Sequence, residues 1–148
     1  MELPVVNHED YFAKIGDDHK FPINKFGELA NYLIKNKIVE KFHKPYACSV
    51  ETLNYAHSKE YIFHIKNKSL NKEGVKKIGF PLVDSVVQRS LVATGGTVLA
   101  SKLAINYGIA WSNDSSSFSS LPLGRVPAIG LTDTLRFSKR TNISGEAP

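Results

Sequence analysis

The chain has 148 residues, enough for one domain or part of one. It is 42% hydrophobic and 22% charged, ordinary values for a soluble globular protein. No apolar run approaches the roughly 18 residues a membrane span needs, and the single cysteine, Cys48, excludes a disulfide within the chain and points to a reducing compartment. The opening MELPVVNHED carries no basic stretch followed by an apolar core. No secretory signal is read there, so a cytoplasmic location is expected, or a nucleocytoplasmic one in a eukaryote.

In chain order, residues 3–6 (LPVV) read as a short strand and residues 7–10 as a polar turn. Residues 17–22 form a second loop, in which Pro22 holds Phe21 extended. Phe26, Leu29, Ala30, Leu33 and Ile34 then recur at the spacing of an amphipathic helix, with Asn24 as its expected cap. Residues 44–48 read as a brief extended piece. Cys48 lies in it and reads as a small buried residue rather than a nucleophile. Ser49 caps a short helix holding Val50, Leu53 and Tyr55, and Ser58 caps another holding Tyr61, Ile62 and Ile65. Residues 69–77 are polar and helical at most.

The excess positive charge has a definite home. Residues 35–77 contain ten lysines against four glutamates. Such a stretch can attract nucleic acid, but it contains no arginine and its aromatics follow no stacking pattern. It reads as a solvated lysine-rich face, and nucleic-acid binding is not expected.

Residues 78–111 organise the rest. A Gly-x-Pro turn at Gly79 and Pro81 leads into a long helix that ends at Gly108, and a strand begins there. Val83, Val87, Leu91, Thr94 and Val98 make one apolar stripe; Val86, Ala93, Ala100 and Ala104 make a second. Two stripes mark a helix buried on most sides. Gly95 and Gly96 in its middle admit two readings, the close approach of another backbone or a kink. Strand, helices and a new strand together suggest an α/β arrangement with parallel pairing.

After Trp111 the texture changes. Residues 111–148 contain eight serines and no helical face, and read as an irregular tail distinct from residues 1–110.

The first 110 residues resemble the N-terminal part of the histone deacetylase superfamily, the zinc-dependent deacetylases that include bacterial deacetylase-like and acetoin-utilisation-type proteins. The residues that carry the resemblance are LPVVNHEDY, HKFPINKF, ETLNYAHSKEYI and IGFPLVDSVVQRSLVATGGTVLASKLAI, in that order. The resemblance implies the N-terminal portion of an open, mostly parallel sheet of the arginase/deacetylase type with flanking helices, incomplete in this chain. It implies hydrolysis of acetyl-lysine or related acetylated amines. In the family, zinc polarises the amide carbonyl and activates a water, an adjacent histidine pair in Gly-Gly-x-His-His moves protons, and a tyrosine helps to hold the oxyanion. By the same resemblance, His19, Phe21 and Pro22 match the loop lining the internal channel, and Gly79, Phe80 and Pro81 match the rim turn where substrate lies. In some branches that rim carries an acidic residue; Gly79 stands in its place here.

The chemistry does not carry over. If Ile109, Ala110, Trp111 and Ser112 match the family strand, its two glycines fall at Asn113 and Asp114, and its histidines at Ser116 and Ser117. The five histidines are His8, His19, His43, His57 and His64, and the one Asp-x-His, Asp17-Asp18-His19, lies near the start of the chain, far before the strand that the family's motif follows. The zinc expected for the family therefore lacks its ligands, and no catalytic residue is assigned. A run of CAT histidine codons read in another frame contains TCA, a serine codon. Ser115, Ser116 and Ser117 lie almost where the histidine pair is expected, so a shifted frame or an alternative exon is one origin of residues 111–148; a native serine-rich tail is the other. The sequence thus predicts a truncated deacetylase-like chain, inactive by itself. The alternative is a non-catalytic binding or regulatory module that keeps the family's N-terminal surface for a partner protein.

Overall fold

A computed structural model describes residues 3–114 and the backbone of 117–120. The strand β1 (Val5–Val6) is followed by a 3-10 turn, Glu9–Tyr11, and then by the helices α1 (Lys25–Lys35), α2 (Val50–Leu53), α3 (Lys59–Lys66), α4 (Lys72–Ile78) and α5 (Asp84–Tyr107). The strands β2 (Ile109–Ser112) and β3 (Ser117–Ser120) come last. The α-helices take up about half of the described residues.

Successive strand residues face opposite ways, and the core is built on that alternation. Val5 packs with Leu33 and Val39, and with Leu29, Phe42 and Trp111, under α1. Val6 packs with Ala100, Ala104 and Ala110, and with Leu99 and Leu103, under α5. The two helices therefore cover opposite faces of β1 and β2. Small residues dominate the α5 side, so the helix lies close to the sheet. On the open side of β1, Val6 forms a parallel bridge with His43, closed by His43 N–H to Val5 O (2.9 Å) and Asn7 N–H to His43 O (3.1 Å).

The expected open, mostly parallel sheet of the arginase/deacetylase type is corrected. The described sheet has three strands in the order β1-β2-β3. Only β1 and β2 pair in parallel, with Val5 opposite Trp111 and Val6 opposite Ser112. β3 returns antiparallel, with Ser112 opposite Ser117 and Ile109 opposite Ser120. The physical reason is local. Four residues join β2 to β3, which permits a hairpin and leaves no room for the crossover that a parallel neighbour requires. Most of the apolar sequence elsewhere is spent on helices, not on strands.

Several helix expectations are met. The Ser49 hydroxyl accepts from Thr52 N–H at α2, and the Ser58 hydroxyl from Tyr61 N–H at α3, both at 3.2 Å. Asn24 is a correction: it sits in helical backbone before α1 and makes no side-chain cap. α4 is a true helix, capped by the Asn71 side chain at Gly74 N–H (2.8 Å) and ended by Gly79 in the left-handed region at φ 78°.

α5 is unbroken through Gly95 and Gly96, which decides between kink and close approach. A Cβ on Gly95 would lie 1.9 Å from the Tyr46 carbonyl oxygen, and one on Gly96 would lie 2.0 Å from the Tyr11 hydroxyl. Residues 46–48 lie along the helix, and Cys48 N–H donates to Leu91 O at 2.9 Å. Between Arg89 and Ala100 no residue of α5 is exposed. The buried positions are Val86, Val87, Val92, Gly96, Ala100 and Ala104, three of them from the second predicted stripe and one, Val87, from the first; Val83 is the exposed residue preceding the helix.

Candidate functional site

The two loops singled out in the sequence meet. The His19 ring stacks on Phe80, with centroids 5.0 Å apart and planes 13° from parallel. His19 Nε2 lies 3.1 Å from Gly79 O, and His19 Nδ1 accepts from Phe21 N–H at 3.1 Å. Phe21 meets Phe80 edge-on at 5.4 Å. Both prolines act through their carbonyls: Pro22 O accepts from Lys25 N–H as α1 begins, and Pro81 O accepts from Val83 N–H before α5. All six residues thus belong to one junction between the start of α1 and the start of α5.

Beside it, at the carboxyl ends of β1 and β2, lies a buried polar cluster that the sequence reading missed. Ser112, Asn113 and Asp114 are 1%, 2% and 2% exposed. Asn113 donates through its side-chain amide to Asn7 Oδ1 (2.8 Å) and Phe26 O (2.9 Å), tying β1 and α1 together. Its backbone N–H continues the ladder to Val6 O at 2.9 Å. Asp114 Oδ2 accepts from the Thr97 hydroxyl at 3.2 Å. Arg89 spans the cluster: Nε donates to Tyr11 O (2.9 Å) and a terminal nitrogen donates to Asp114 O (3.1 Å). Its guanidinium lies 4.9 Å from the Phe26 ring centre and 5.9 Å from that of Phe21.

Electrostatics follow burial. Tyr11 is fully buried, and its phenol is pushed well above its ordinary range, first by desolvation and then by the Asp114 carboxylate; Ser112 and Arg89 pull the other way. Neither the Tyr11 nor the Ser112 hydroxyl completes a hydrogen bond among the described residues. Burial pulls the Arg89 guanidinium down, while Asp114 and Tyr11 oppose that shift. Cys48 is half-buried, and burial pushes its thiol up, away from thiolate reactivity.

This arrangement positions loops. Arg89 donates to two backbone carbonyls, and the Asn113 amide donates to one backbone carbonyl and to the Asn7 side chain. Among the described residues no group of three or more His, Cys, Asp or Glu side chains is placed to hold a metal. Asp114, the acidic residue nearest the strand ends, is engaged with Thr97 and lies beside Arg89, so the donor set does not fit a zinc ion. The positions matched to the family's two glycines, Asn113 and Asp114, are buried polar residues. Ser116 lies outside the described residues, and Ser117 opens β3. β2 itself runs through residue 111, where the serine-rich tail was placed to begin; residues 115–116 and 121–148 of that tail lie outside the described residues.

One signal for the missed cluster was present. Arg89 is the sole arginine before Arg125, in a chain that otherwise uses lysine, and it sits on the most apolar helix. Arginine is preferred where a buried planar donor must bridge fixed acceptors.

No family model matches the chain. It is similar to an uncharacterized protein of Picosynechococcus sp., with 32% identity over 124 residues covering 82% of this chain. The chain spans 41% of the length of that relative. No helix among the described residues is long and apolar enough to cross a membrane.

Proposed function

We propose that this chain is the amino-terminal part of a zinc-dependent deacetylase-like protein and is non-catalytic by itself. The observation that carries the reading is the junction of His19, Phe21 and Pro22 with Gly79, Phe80 and Pro81. The resemblance assigns these two loops, 60 residues apart, to one channel and its rim, and they touch through the His19 stack and the His19–Gly79 bond. The whole protein's substrate is an acetylated lysine or acetylated amine. Zinc in the whole protein supplies the Lewis acid that polarises the amide carbonyl. The residues here do not fit that ion, so none of them is assigned a step of the reaction; their role is to hold the loops. A second reading, a binding module that keeps this surface for a partner protein, draws on the exposed Tyr46, Tyr55, Phe63 and Ile105 side chains.

The test uses the purified chain with added zinc and an acetyl-lysine peptide, with released acetate measured. The expected result is no release above the peptide blank. Release that a chelator abolishes would refute the non-catalytic assignment.

A further inference from the structure

The two edges of the sheet are finished differently. On the outer side of β1 the His43 bridge takes up Val5 O and Asn7 N–H, and Lys41, Lys44 and Pro45 flank it, the residue types that stop a further strand from joining. The outer side of β3 carries no such guard: residues 115–120 are five serines and Phe118, without a charge or a proline. Among the described residues no strand pairs with that side. The bond pattern says which groups it presents. Trp111 N–H donates to Pro4 O and Asn113 N–H to Val6 O, so the odd-numbered residues here face β1. Backbone groups alternate sides along a strand, so Ala110 and Ser112 face β3, where they lie opposite Ser119 and Ser117. The backbone N–H and C=O of Phe118 and Ser120 therefore point outward. Pro122, the next residue of that parity, has no N–H to offer, which ends an outer ladder at Ser120 on that side.

We propose that a second copy of this chain pairs with this edge, antiparallel, with the two Ser119 residues opposite one another across a two-fold axis. In that register the Phe118 N–H and C=O meet Ser120 of the partner subunit, and the reciprocal pair forms on the other side of the axis. All the outward groups of β3 in both copies are then used. The occupant is a copy of this strand because an antiparallel pair about a two-fold offers the same groups from both sides, so the edge is complementary to itself. It is also uncharged, so two copies meet there without the like-charge repulsion that the lysines of residues 35–77 would impose elsewhere. Four residues a side make a small interface, so the dimer is weak and forms at high concentration. The pairing extends the sheet from three strands to six. It concerns this chain as it stands and does not rest on the deacetylase reading.

The test is analytical ultracentrifugation of the whole chain from about 10 µM to about 1 mM, the range a small interface calls for. The mass should rise with concentration from one chain toward two. Ser120→Pro removes an outward N–H from each copy and leaves the β2–β3 ladder alone, because that ladder runs through Ser117 and Ser119. With its circular dichroism unchanged, this variant should dimerise about tenfold more weakly or worse, having lost two hydrogen bonds. Nuclear magnetic resonance on a mixture of ¹³C-labelled and unlabelled chains reads the register. It should show a contact between the Ser119 Hα atoms of the two copies, which a pair without mutual hydrogen bonds brings close. A chain that stays monomeric throughout the range would overturn the proposal, because the edge would then be idle or covered from within the chain. A dimer that Ser120→Pro leaves unweakened would also overturn it, as would one without the Ser119 contact, since another surface would then be responsible.

Discussion

Gly95→Ala sets helix propensity against packing, and the structure predicts that packing wins. Alanine is favoured over glycine inside a helix by about 1 kcal/mol. At Gly95 the added methyl would sit 1.9 Å from Tyr46 O, whereas a carbon–oxygen contact needs about 3.3 Å. Residues 46–48 would have to retreat by about 1.4 Å, the difference between those two distances. That movement breaks the Cys48–Leu91 bond, a loss of about 1 kcal/mol, and strains a packed contact at a cost of about 1–3 kcal/mol. The net effect is a destabilisation of about 1–3 kcal/mol. With a urea slope of about 1.5–2 kcal/mol/M, the unfolding midpoint should fall by about 0.5–2 M, read by circular dichroism. Gly27→Ala is the internal control. Gly27 lies in α1 with open space around its Cα, so the same substitution there should raise stability by about 0.5–1 kcal/mol. Equal effects at the two sites, or a stabilised Gly95→Ala, would refute the reasoning.

Three further outcomes follow from the buried cluster. Asn113→Ala leaves Asn7 Oδ1 and Phe26 O without their donor and should cost about 1–3 kcal/mol in urea unfolding. Arg89→Lys keeps the charge but cannot reach both Tyr11 O and Asp114 O from one ammonium, so it should destabilise by a similar amount, about 1–3 kcal/mol. Tyr11→Phe removes a buried hydroxyl that completes no hydrogen bond and should change stability at neutral pH by less than about 1 kcal/mol. It should also flatten the alkaline limb. The folded phenol titrates above its unfolded value, so its contribution is fully present below about pH 10 and is lost as the pH rises beyond it. A wild-type and a Tyr11→Phe chain that lose stability in parallel above that pH would count against the buried phenol.

Local features were legible in the chain and long-range ones were not. Ser49 and Ser58 announce their helices because a cap acts within three residues. The amphipathic spacing that starts at Phe26 announces α1 for the same reason. Gly95 and Gly96 left a kink and a close approach equally open, and nothing in the chain pointed to Tyr46 on one side and Tyr11 on the other. β1 is two residues long and β3 is almost all serine, so neither shows the alternation that would reveal a strand's partner or direction. Asn113 and Asp114 read as part of the irregular tail because short polar residues among serines show no periodicity. Their burial depends on Asn7 and Phe26, 106 and 87 residues away, and on Thr97. The loop pair at His19 and Gly79 was drawn from the family resemblance, and no periodicity in the chain would have joined them.

The central claim is that this chain is the front of a deacetylase-like protein whose chemistry lies beyond it. The most direct measurement is the coding nucleotide sequence from the codon of Ile105 onward, read in all three frames. The account predicts that another frame restores Gly-Gly-x-His-His in place of residues 113–117, followed by Asp-x-His. A coding sequence in which no frame contains those motifs would contradict it, and would make the serine-rich tail native to a non-catalytic module.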